Sequence, residues 1–262
     1  YCFYTNTTGV DCTAVGHQAM YYNTTGVGQT AVGKDALQKN TTGNNNTAIG
    51  RSALFEGTTG DSNTALGRDA GNYNTTGNNN IFIGYAAGSY SVKFQTGSQN
   101  CLIGNYIIAG GTGDDYANAL GYNLTAHGGY TTLGAGSNDI RASHGSTTWS
   151  TVSDERYKKD IVDATAGLSF INDLKPRTFK YKTLGELPTT FSSYKANSTE
   201  VFKNTNTNHG FIAQEVKTTI DAHSEIKDGF RLWDDRPDGS QEVAEAALIP
   251  VLTKAIQELS AQ

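Results

Sequence analysis

Residues 40–50, "NTTGNNNTAIG", contain both motifs that decide the fold of the first half of the chain. The opening motif, Asn-Thr-Thr-Gly, recurs with its copies starting 17 residues apart, at Asn6, Asn23, Asn40 and Asn74, with Gly57-Thr58-Thr59-Gly60 at the missing step. The closing motif, Thr-Ala-aliphatic-Gly, runs in phase and ends at Gly16, Gly33, Gly50 and Gly67. A short fixed period predicts stacked units, each of which buries its apolar side against its neighbours.

Each repeat is predicted to form a narrow β-coil. The Thr-Ala-aliphatic run favours a very short strand, and the glycine that follows suits a turn with positive φ. Asn and Gly dominate the rest of the repeat and supply a second turn, and no apolar period of 3.6 residues supports a helix. Because one such coil buries little apolar area, we expect identical chains to associate side by side and bury the remaining row of Ile, Val and Leu.

The period and the two motifs together resemble the repeats of trimeric autotransporter head domains and of phage tail fibres. The resemblance covers about residues 5–135 and implies that three chains form a stack of β-coils. The predicted fold class is a mainly β, trimeric fibre of stacked 17-residue repeats, residues 1–135, then a connector, residues 136–152, and an α+β domain, residues 153–262, that ends in a coiled-coil helix.

The distribution of charge supports a boundary near Val152. Residues 1–152 contain 6 Lys/Arg and 8 Asp/Glu, whereas residues 153–262 contain 14 and 17. The formal net charge of −5 gives no electrostatic reason to expect nucleic acid as a partner. No apolar run approaches the ~20 residues that span a bilayer, so membrane insertion is not expected. The three cysteines form no CxxC pair, and no metal or cofactor is expected.

Two groups of residues in the first half are candidate sites. The Asn-x-Thr triplets fit the glycosylation acceptor pattern, but their fixed phase favours turn residues that the repeat has copied. The stretch 105–150 carries aromatic residues that either bind a host-cell surface glycan or receptor by ring stacking or only taper the fibre. These residues are Tyr106, Tyr116, Tyr122, Tyr130 and Trp149.

The second half has the pattern of a compact α+β domain. Apolar residues at helical spacing precede Pro176, "RTFKYKTL" (177–184) alternates like a half-buried strand, and "HGFIAQEVKTTI" (209–220) predicts a strand that leads into a helix. A C-terminal helix is predicted from about residue 241. Its 4-3-4 apolar spacing predicts the seam of a parallel helical oligomer. The seam residues are Leu248, Leu252, Ala255 and Leu259.

An ordered set of motifs in this half resembles a single family. The motifs are Ser153-Asp154-x-Arg156-x-Lys158, Leu174-Lys175-Pro176, Phe179-x-Tyr181, "GFIAQEV" (210–216) and Leu248-Ile249-Pro250. They look like the endosialidase-type intramolecular chaperone domain, also called the S74 peptidase family, over residues 153–262. The resemblance implies a domain that nucleates trimerisation, assists folding of the β-fibre before it, and then releases itself by cutting the Val152–Ser153 bond.

The stretch "TVSDERYKKDI", residues 151–161, has two interpretations. The resemblance implies a Ser-Lys dyad with Ser153 as nucleophile and Lys158 as base. A serine hydroxyl needs a base, and a lysine serves as one only in its neutral form, which burial or neighbouring cations favour. Five residues of α-helix turn through roughly 140°, so the pair requires Ser153 at or before a helix start, or a bend. Alternatively, Ser153 only caps a helix with a charged first turn, and the two roles are compatible. The candidate supporting residues are Asp154, Arg156 and Gln214.

The expected protein is the C-terminal part of a viral tail fibre, assembled as a homotrimer in the host cytoplasm, with a single-turnover, self-cleaving serine peptidase at its end. The alternative is a bacterial surface adhesin whose trimeric cap never cuts. A glycan hydrolase is not favoured, because no pair of carboxylates stands out in the repeats.

Overall fold

The computed structural model describes residues 1–89, 95–227 and 230–262. The chain divides into two compact units, Tyr1–Asp154 and Glu155–Gln262. The first unit is a β-solenoid and the second combines short strands with helices, which confirms the prediction of a mainly β repeat region followed by an α+β region with a C-terminal helix.

The first unit is built around one nine-stranded sheet whose strands are contributed by successive coils. Its strands, in chain order, are β1 (Thr13–Val15), β2 (Thr30–Val32), β3 (Thr47–Ile49), β4 (Thr64–Leu66), β5 (Ile81–Ile83) and β6 (Cys101–Ile103), then β8 (Asn118–Tyr122), β10 (Tyr130–Ala135) and β11 (Asn138–Ser143). Within this sheet, neighbouring strands from β1 through β10 pair in parallel, and β11 returns antiparallel to β10. The strands β7 (Ile108–Ala109) and β9 (Thr125–Ala126) form a separate parallel pair.

The strand motif is explained by what each of its positions faces. The central alanines, such as Ala31, Ala48 and Ala65, are buried and pack with Leu37 and Leu54 in the solenoid core. The glycine that ends the motif lies where coils approach closely. At Gly33, φ is +135° and a Cβ atom would lie 2.6 Å from the carbonyl oxygen of Gly50. Any larger residue there would separate adjacent coils, so the repeat requires glycine.

Buried asparagines form hydrogen-bonded ladders along the solenoid. Asn23 Nδ2 donates to Asn6 Oδ1 at 3.1 Å, and Asn40 Nδ2 donates to Asn23 Oδ1 at 2.9 Å. These amides therefore satisfy one another inside the fold, as buried polar groups must. Because Asn23, Asn40 and Asn74 are buried, their Asn-x-Thr triplets are structural elements of the turns.

The asparagine ladder is interrupted at Gly57. The gap is lined by Asn40, Leu54, Gly57 and Asn74. Gly57 leaves the amides of Asn40 and Asn74 without the neighbour that a repeat asparagine would supply. This coil therefore carries a local packing defect.

In the fifth coil, a large core residue replaces a small one, and glycines replace the large core residue of the other coils. Phe82 occupies the position that alanine holds in the preceding strands and is fully buried. The positions of Leu54 in the next coils are taken by Gly71 and Gly88, where Cβ atoms would lie 2.5 and 2.6 Å from the Phe82 ring. One large ring thus fills the space that leucines fill elsewhere, and the coil keeps its dimensions.

The outer face of the sheet carries an unbroken aliphatic ladder. The third residue of each strand, or the fourth in β10, is aligned with the ladder residue of the next strand, and the row is completed by β11. The ladder consists of Val15, Val32, Ile49, Leu66, Ile83, Ile103, Leu120, Leu133 and Ile140. At a strand spacing of about 4.8 Å it extends for roughly 38 Å.

The sheet extends into the stretch predicted as a connector, because β11 lies within residues 136–152 and Arg141 pairs with Ser150 as an isolated bridge. The hairpin of β10 and β11 therefore ends the row of parallel strands, and a loop, residues 144–149, leads back to the bridge at Ser150.

The second unit has a small core between three helices and two antiparallel strand pairs. Its elements, in chain order, are α1 (Leu168–Asp173), β12 (Arg177–Phe179), β13 (Asn208–Gly210), α2 (Ala213–Ala222), β14 (Trp233–Asp235), β15 (Gln241–Val243) and α3 (Ile249–Ser260). Strand β12 pairs with β13, and β14 pairs with β15. The core consists of Phe170, Leu174, Val216, Ile220, Leu232, Leu248 and Val251.

The C-terminal helix begins later than predicted. Residues 241–243 form a strand because the turn at Gly239, with φ of +81°, folds them back onto β14. A short 3₁₀ turn, Glu245–Leu248, then leads into α3, where Pro250 occupies the first turn. Proline is tolerated there because its missing N–H is not needed. The prediction of a helix from about residue 241 is therefore wrong by about two turns.

Candidate active site and assembly surfaces

The predicted nucleophile and base lie on either side of the division between the two units. Ser153 and Asp154 end the first unit, and Arg156 and Lys158 belong to the second. Residues 151–154 have no regular structure, and Val152, Ser153 and Lys158 are exposed in the single chain. The bond between Val152 and Ser153 is therefore in an accessible, irregular segment.

A single 3₁₀ turn follows Ser153, where one interpretation predicted a helix with Ser153 as its cap. The turn covers Glu155–Tyr157, and the backbone N–H of Lys158 donates to the carbonyl oxygen of Glu155 at 2.8 Å. No α-helix starts there, so the segment bends after Ser153. The bend meets one geometric condition for a Ser-Lys dyad, since the two residues are not on a straight helix.

The candidate supporting residue Gln214 lies in the first turn of α2. Its side chain is exposed, and its carbonyl oxygen accepts a hydrogen bond from Thr218 Oγ1 at 2.9 Å. The next residue, Glu215, is bound by Arg177 Nε at 2.9 Å, which ties α2 to β12. The hydrogen bond from Arg177 holds the pKa of Glu215 below its usual value. The motif around Gln214 therefore holds strand and helix together.

A buried histidine that the sequence analysis did not single out connects α1 to the end of α2. His223 Nδ1 lies 2.9 Å from Glu225 Oε1, and its Nε2 lies 2.8 Å from Asp173 Oδ2. Both ring nitrogens donate to carboxylates only in the imidazolium form. The hydrogen bonds to Glu225 and to Asp173 accordingly raise the pKa of His223. Asp173 is 50 residues away in sequence, so no local motif marks the contact with it.

Helix α3 buries one side against its own unit. Leu248 and Ala255 are 6% and 4% exposed, and Leu168 N donates to Glu258 Oε2 at 2.8 Å, which fastens α3 to α1. Two of the four predicted seam residues are thus buried against other residues of their own unit. This corrects the predicted seam, because a side chain buried in its own core cannot also face a partner helix.

The exposed side of α3 carries a different apolar row. This α3 row consists of Ile249, Leu252, Ile256 and Leu259, which are between 41 and 65% exposed. Their 3-4-3 spacing also fits a heptad seam. Leu252 and Leu259 therefore remain in the exposed set, and Ile249 and Ile256 replace Leu248 and Ala255.

The predicted aromatic residues of the first unit fall into two groups. Tyr106 stacks edge-to-face with Tyr122 at 5.9 Å, and the guanidinium of Arg141 lies 5.3 Å from the ring centre of Tyr130. Tyr106 and Tyr130 are half-buried, whereas Tyr116, Tyr122 and Trp149 are at least half exposed. Three of the five rings are therefore available at the surface of the single chain.

The turn between β14 and β15 contains the carboxylate of Asp238. Asp238 accepts hydrogen bonds from Ser192 and from Ser240, which lower its pKa and use both carboxylate oxygens. Among the described residues, no helix combines the length and apolar character that crossing a bilayer requires.

The part of the chain that begins at Ser153, the predicted nucleophile, resembles a known family. No curated protein and no solved structure matched the chain. The resemblance described for residues 153–262 is confirmed by a family model over the first part of that range, which starts at Ser153 and ends in the turn after α2. Residues 153–224 match Peptidase_S74, the chaperone of endosialidase.

Proposed function

We propose that the chain is the end of a homotrimeric fibre whose second unit drives trimerisation and folding of the β-solenoid and then releases itself by cutting between Val152 and Ser153. One observation carries the proposal: the family match begins at Ser153, within two residues of the division between the units, where the chain is exposed and irregular. A cut at this position would separate the solenoid unit from the second unit.

The aliphatic ladder supports association of the fibre. Five of its nine residues are between 40 and 57% exposed in the single chain. Burying an aliphatic side chain fully contributes ~1.5–3 kcal/mol, so a half-exposed ladder residue would gain about 1 kcal/mol in a trimer. A surface of this length and chemistry is unfavourable in a monomer, and a fibre of identical chains would cover it.

The repeats explain why assembly needs a separate unit. Successive coils are alike, so a slip by one repeat of 17 residues would pair similar residues along the ladder. A compact second unit that trimerises at the chain end fixes the register before the solenoids associate. Removal of that unit then leaves a fibre whose unfolding is limited by a kinetic barrier.

Exposure of the dyad supports cleavage after assembly. A lysine in water is protonated at neutral pH and cannot accept a proton from serine. Because Lys158 and Ser153 are exposed in the single chain, a neighbouring copy that covers them would favour the neutral base. In this proposal Lys158 takes the proton of Ser153 Oγ, and the oxygen attacks the carbonyl carbon of Val152. An ester forms as the Val152–Ser153 amide breaks, and Lys158 returns the proton to the Ser153 nitrogen that leaves. Water then hydrolyses the ester and restores the serine.

The test compares the wild type with Ser153→Ala, Lys158→Met and the matched control Ser150→Ala on a denaturing gel. We expect two fragments from the wild type and from Ser150→Ala, and one full-length band from the other two. The reaction should also slow when the chains are diluted below the concentration at which they form trimers. If the wild type stays uncut at concentrations at which it forms trimers, the second unit is an assembly cap that never cuts, as the adhesin alternative predicts.

We also propose that the fibre surface binds a host-cell glycan through its exposed rings, as a tail fibre in a virion would. Tyr116, Tyr122 and Trp149 support this role because they are at least half exposed in the single chain. Alanine substitution of Trp149 should weaken binding to host cells, whereas the half-buried Tyr130 serves as a control. Equal binding by all variants would leave these rings with a structural role only.

A further inference from the structure

The second unit carries an apolar groove as well as the α3 row. The groove has a volume of about 460 Å³ and is lined by Val162, Ile226, Phe230, Ala247, Pro250 and Val251. Asp163, Glu225 and Arg231 lie at its polar positions.

The α3 row and the groove lie on different sides of the same helix. With about 100° of rotation per residue, the four residues of the α3 row fall within an arc of roughly 80°. Pro250 and Val251, which line the groove, are centred roughly 170° from the middle of that arc. Helix α3 therefore presents a convex apolar surface on one side and a concave apolar surface on the other.

The charges of α3 restrict what the row can contact. The two charged residues of the helix, Lys254 and Glu258, lie 4.0 Å apart, and Glu258 binds the N-terminus of α1. The flank of the row consists of uncharged residues, Thr253, Gln257 and Ser260. The row therefore fits an apolar surface, and the chain itself provides one in the groove.

The symmetry of a trimer requires such a pair of surfaces. In a cyclic trimer each contact joins two different patches, because every protomer meets one neighbour on each side. Resting on the proposed function above, we propose that the groove is the binding site for the α3 row of the neighbouring copy, so that the three second units close into a ring. The predicted seam, in which identical rows meet at one axis, would leave the groove empty.

A charge exchange distinguishes the ring from such a seam. Ile256→Glu introduces an anion into the row, and Ala247→Arg introduces a cation into the groove. In a ring, each glutamate introduced into the row of the double variant would meet the arginine introduced into the groove of the next copy, whereas in a seam the three glutamates would meet one another. Gln257→Glu adds the same charge to α3 beside the row and serves as the matched control.

The measurement is the fraction of full-length Ser153→Ala chain recovered as trimer after dilution from guanidinium chloride, determined by native mass spectrometry. We expect each single variant to lower the trimer yield at least tenfold relative to the parent, which is the Ser153→Ala chain without further changes. The double variant should restore the yield to within threefold of the parent, and Gln257→Glu should leave it unchanged. Circular dichroism of each refolded variant separates loss of association from loss of fold, and Ile256 is exposed in the single chain.

Three outcomes would count against the ring. A double variant no better than Ile256→Glu alone would overturn it while leaving trimerisation by the second unit intact. Unchanged yields for both single variants would show that neither surface takes part. A parent chain that stays monomeric would instead refute the proposed trimer, and with it the ring.

Discussion

Filling the gap in the asparagine ladder should stabilise the solenoid. In Gly57→Asn, the new amide would donate to Asn40 Oδ1 and to the carbonyl oxygen of Gly60, and it would accept from Asn74 Nδ2. The equivalent bonds of Asn40 are 2.9 Å to Asn23 and 3.1 Å to Gly43. The backbone of Gly57 does not have a positive φ, so an asparagine is compatible with it.

The magnitude follows from three terms. Each new hydrogen bond contributes about 1 kcal/mol net, and replacing glycine contributes about 0.4–1 kcal/mol by restricting the unfolded chain. Against this, a Cβ atom at residue 57 would lie 3.1 Å from Leu54 O and 3.3 Å from Asn74 O, which requires a small adjustment. The expected gain is about 1–3 kcal/mol in the free energy of unfolding per chain.

Equilibrium unfolding in guanidinium chloride measures this gain, with Gly57→Ala as the control. The alanine variant has the same Cβ contacts and the same backbone restriction but forms no ladder bonds. We expect Gly57→Asn to be more stable than Gly57→Ala by at least about 1 kcal/mol. If the asparagine variant is no more stable than the alanine variant, the ladder does not contribute the free energy assigned to it.

Three other substitutions test separate parts of the structure. Because the pKa of His223 is raised, its contacts with Glu225 and Asp173 stabilise the second unit fully below the unfolded pKa of ~6.5 and less as pH rises through the folded value. The denaturant midpoint should therefore decrease as the pH is raised from 6 to 8.5, and His223→Gln should flatten this dependence. Phe82→Ala should cost the first unit about 3–5 kcal/mol, because the flanking glycines cannot fill the cavity, and a loss below about 1 kcal/mol in the same assay would contradict this packing. Leu66→Arg should leave the secondary structure intact by circular dichroism but lower the trimer fraction in light scattering, and an unchanged fraction would remove the outer ladder from the interface.

Repetition is the reason why so much of the first unit could be predicted. A residue such as Ala48 has equivalents at Ala31 and Ala65 in the same environment, so the period alone indicates strand, turn and outward row. Phe82 and its glycines could not be predicted, because their fit depends on contacts between neighbouring coils.

The second unit could be predicted less well because its contacts join distant segments. The position of Pro176 marked the end of α1, but the register of α3 depends on which face packs against α1. Leu248 and Ile249 are both apolar, and only the fold determines that the first is buried and the second exposed. His223 was missed for the same reason, since one of its partners is 50 residues away.

We propose above that the second unit assembles the fibre and then cuts itself off at Ser153. Intact mass measurement of freshly expressed protein tests it most directly, because one spectrum reports both cleavage and its position. We expect two masses for the wild type, corresponding to fragments that end at Val152 and begin at Ser153, and one full-length mass for Ser153→Ala. A wild-type trimer with only the full-length mass, or fragments that meet at another bond, would contradict it.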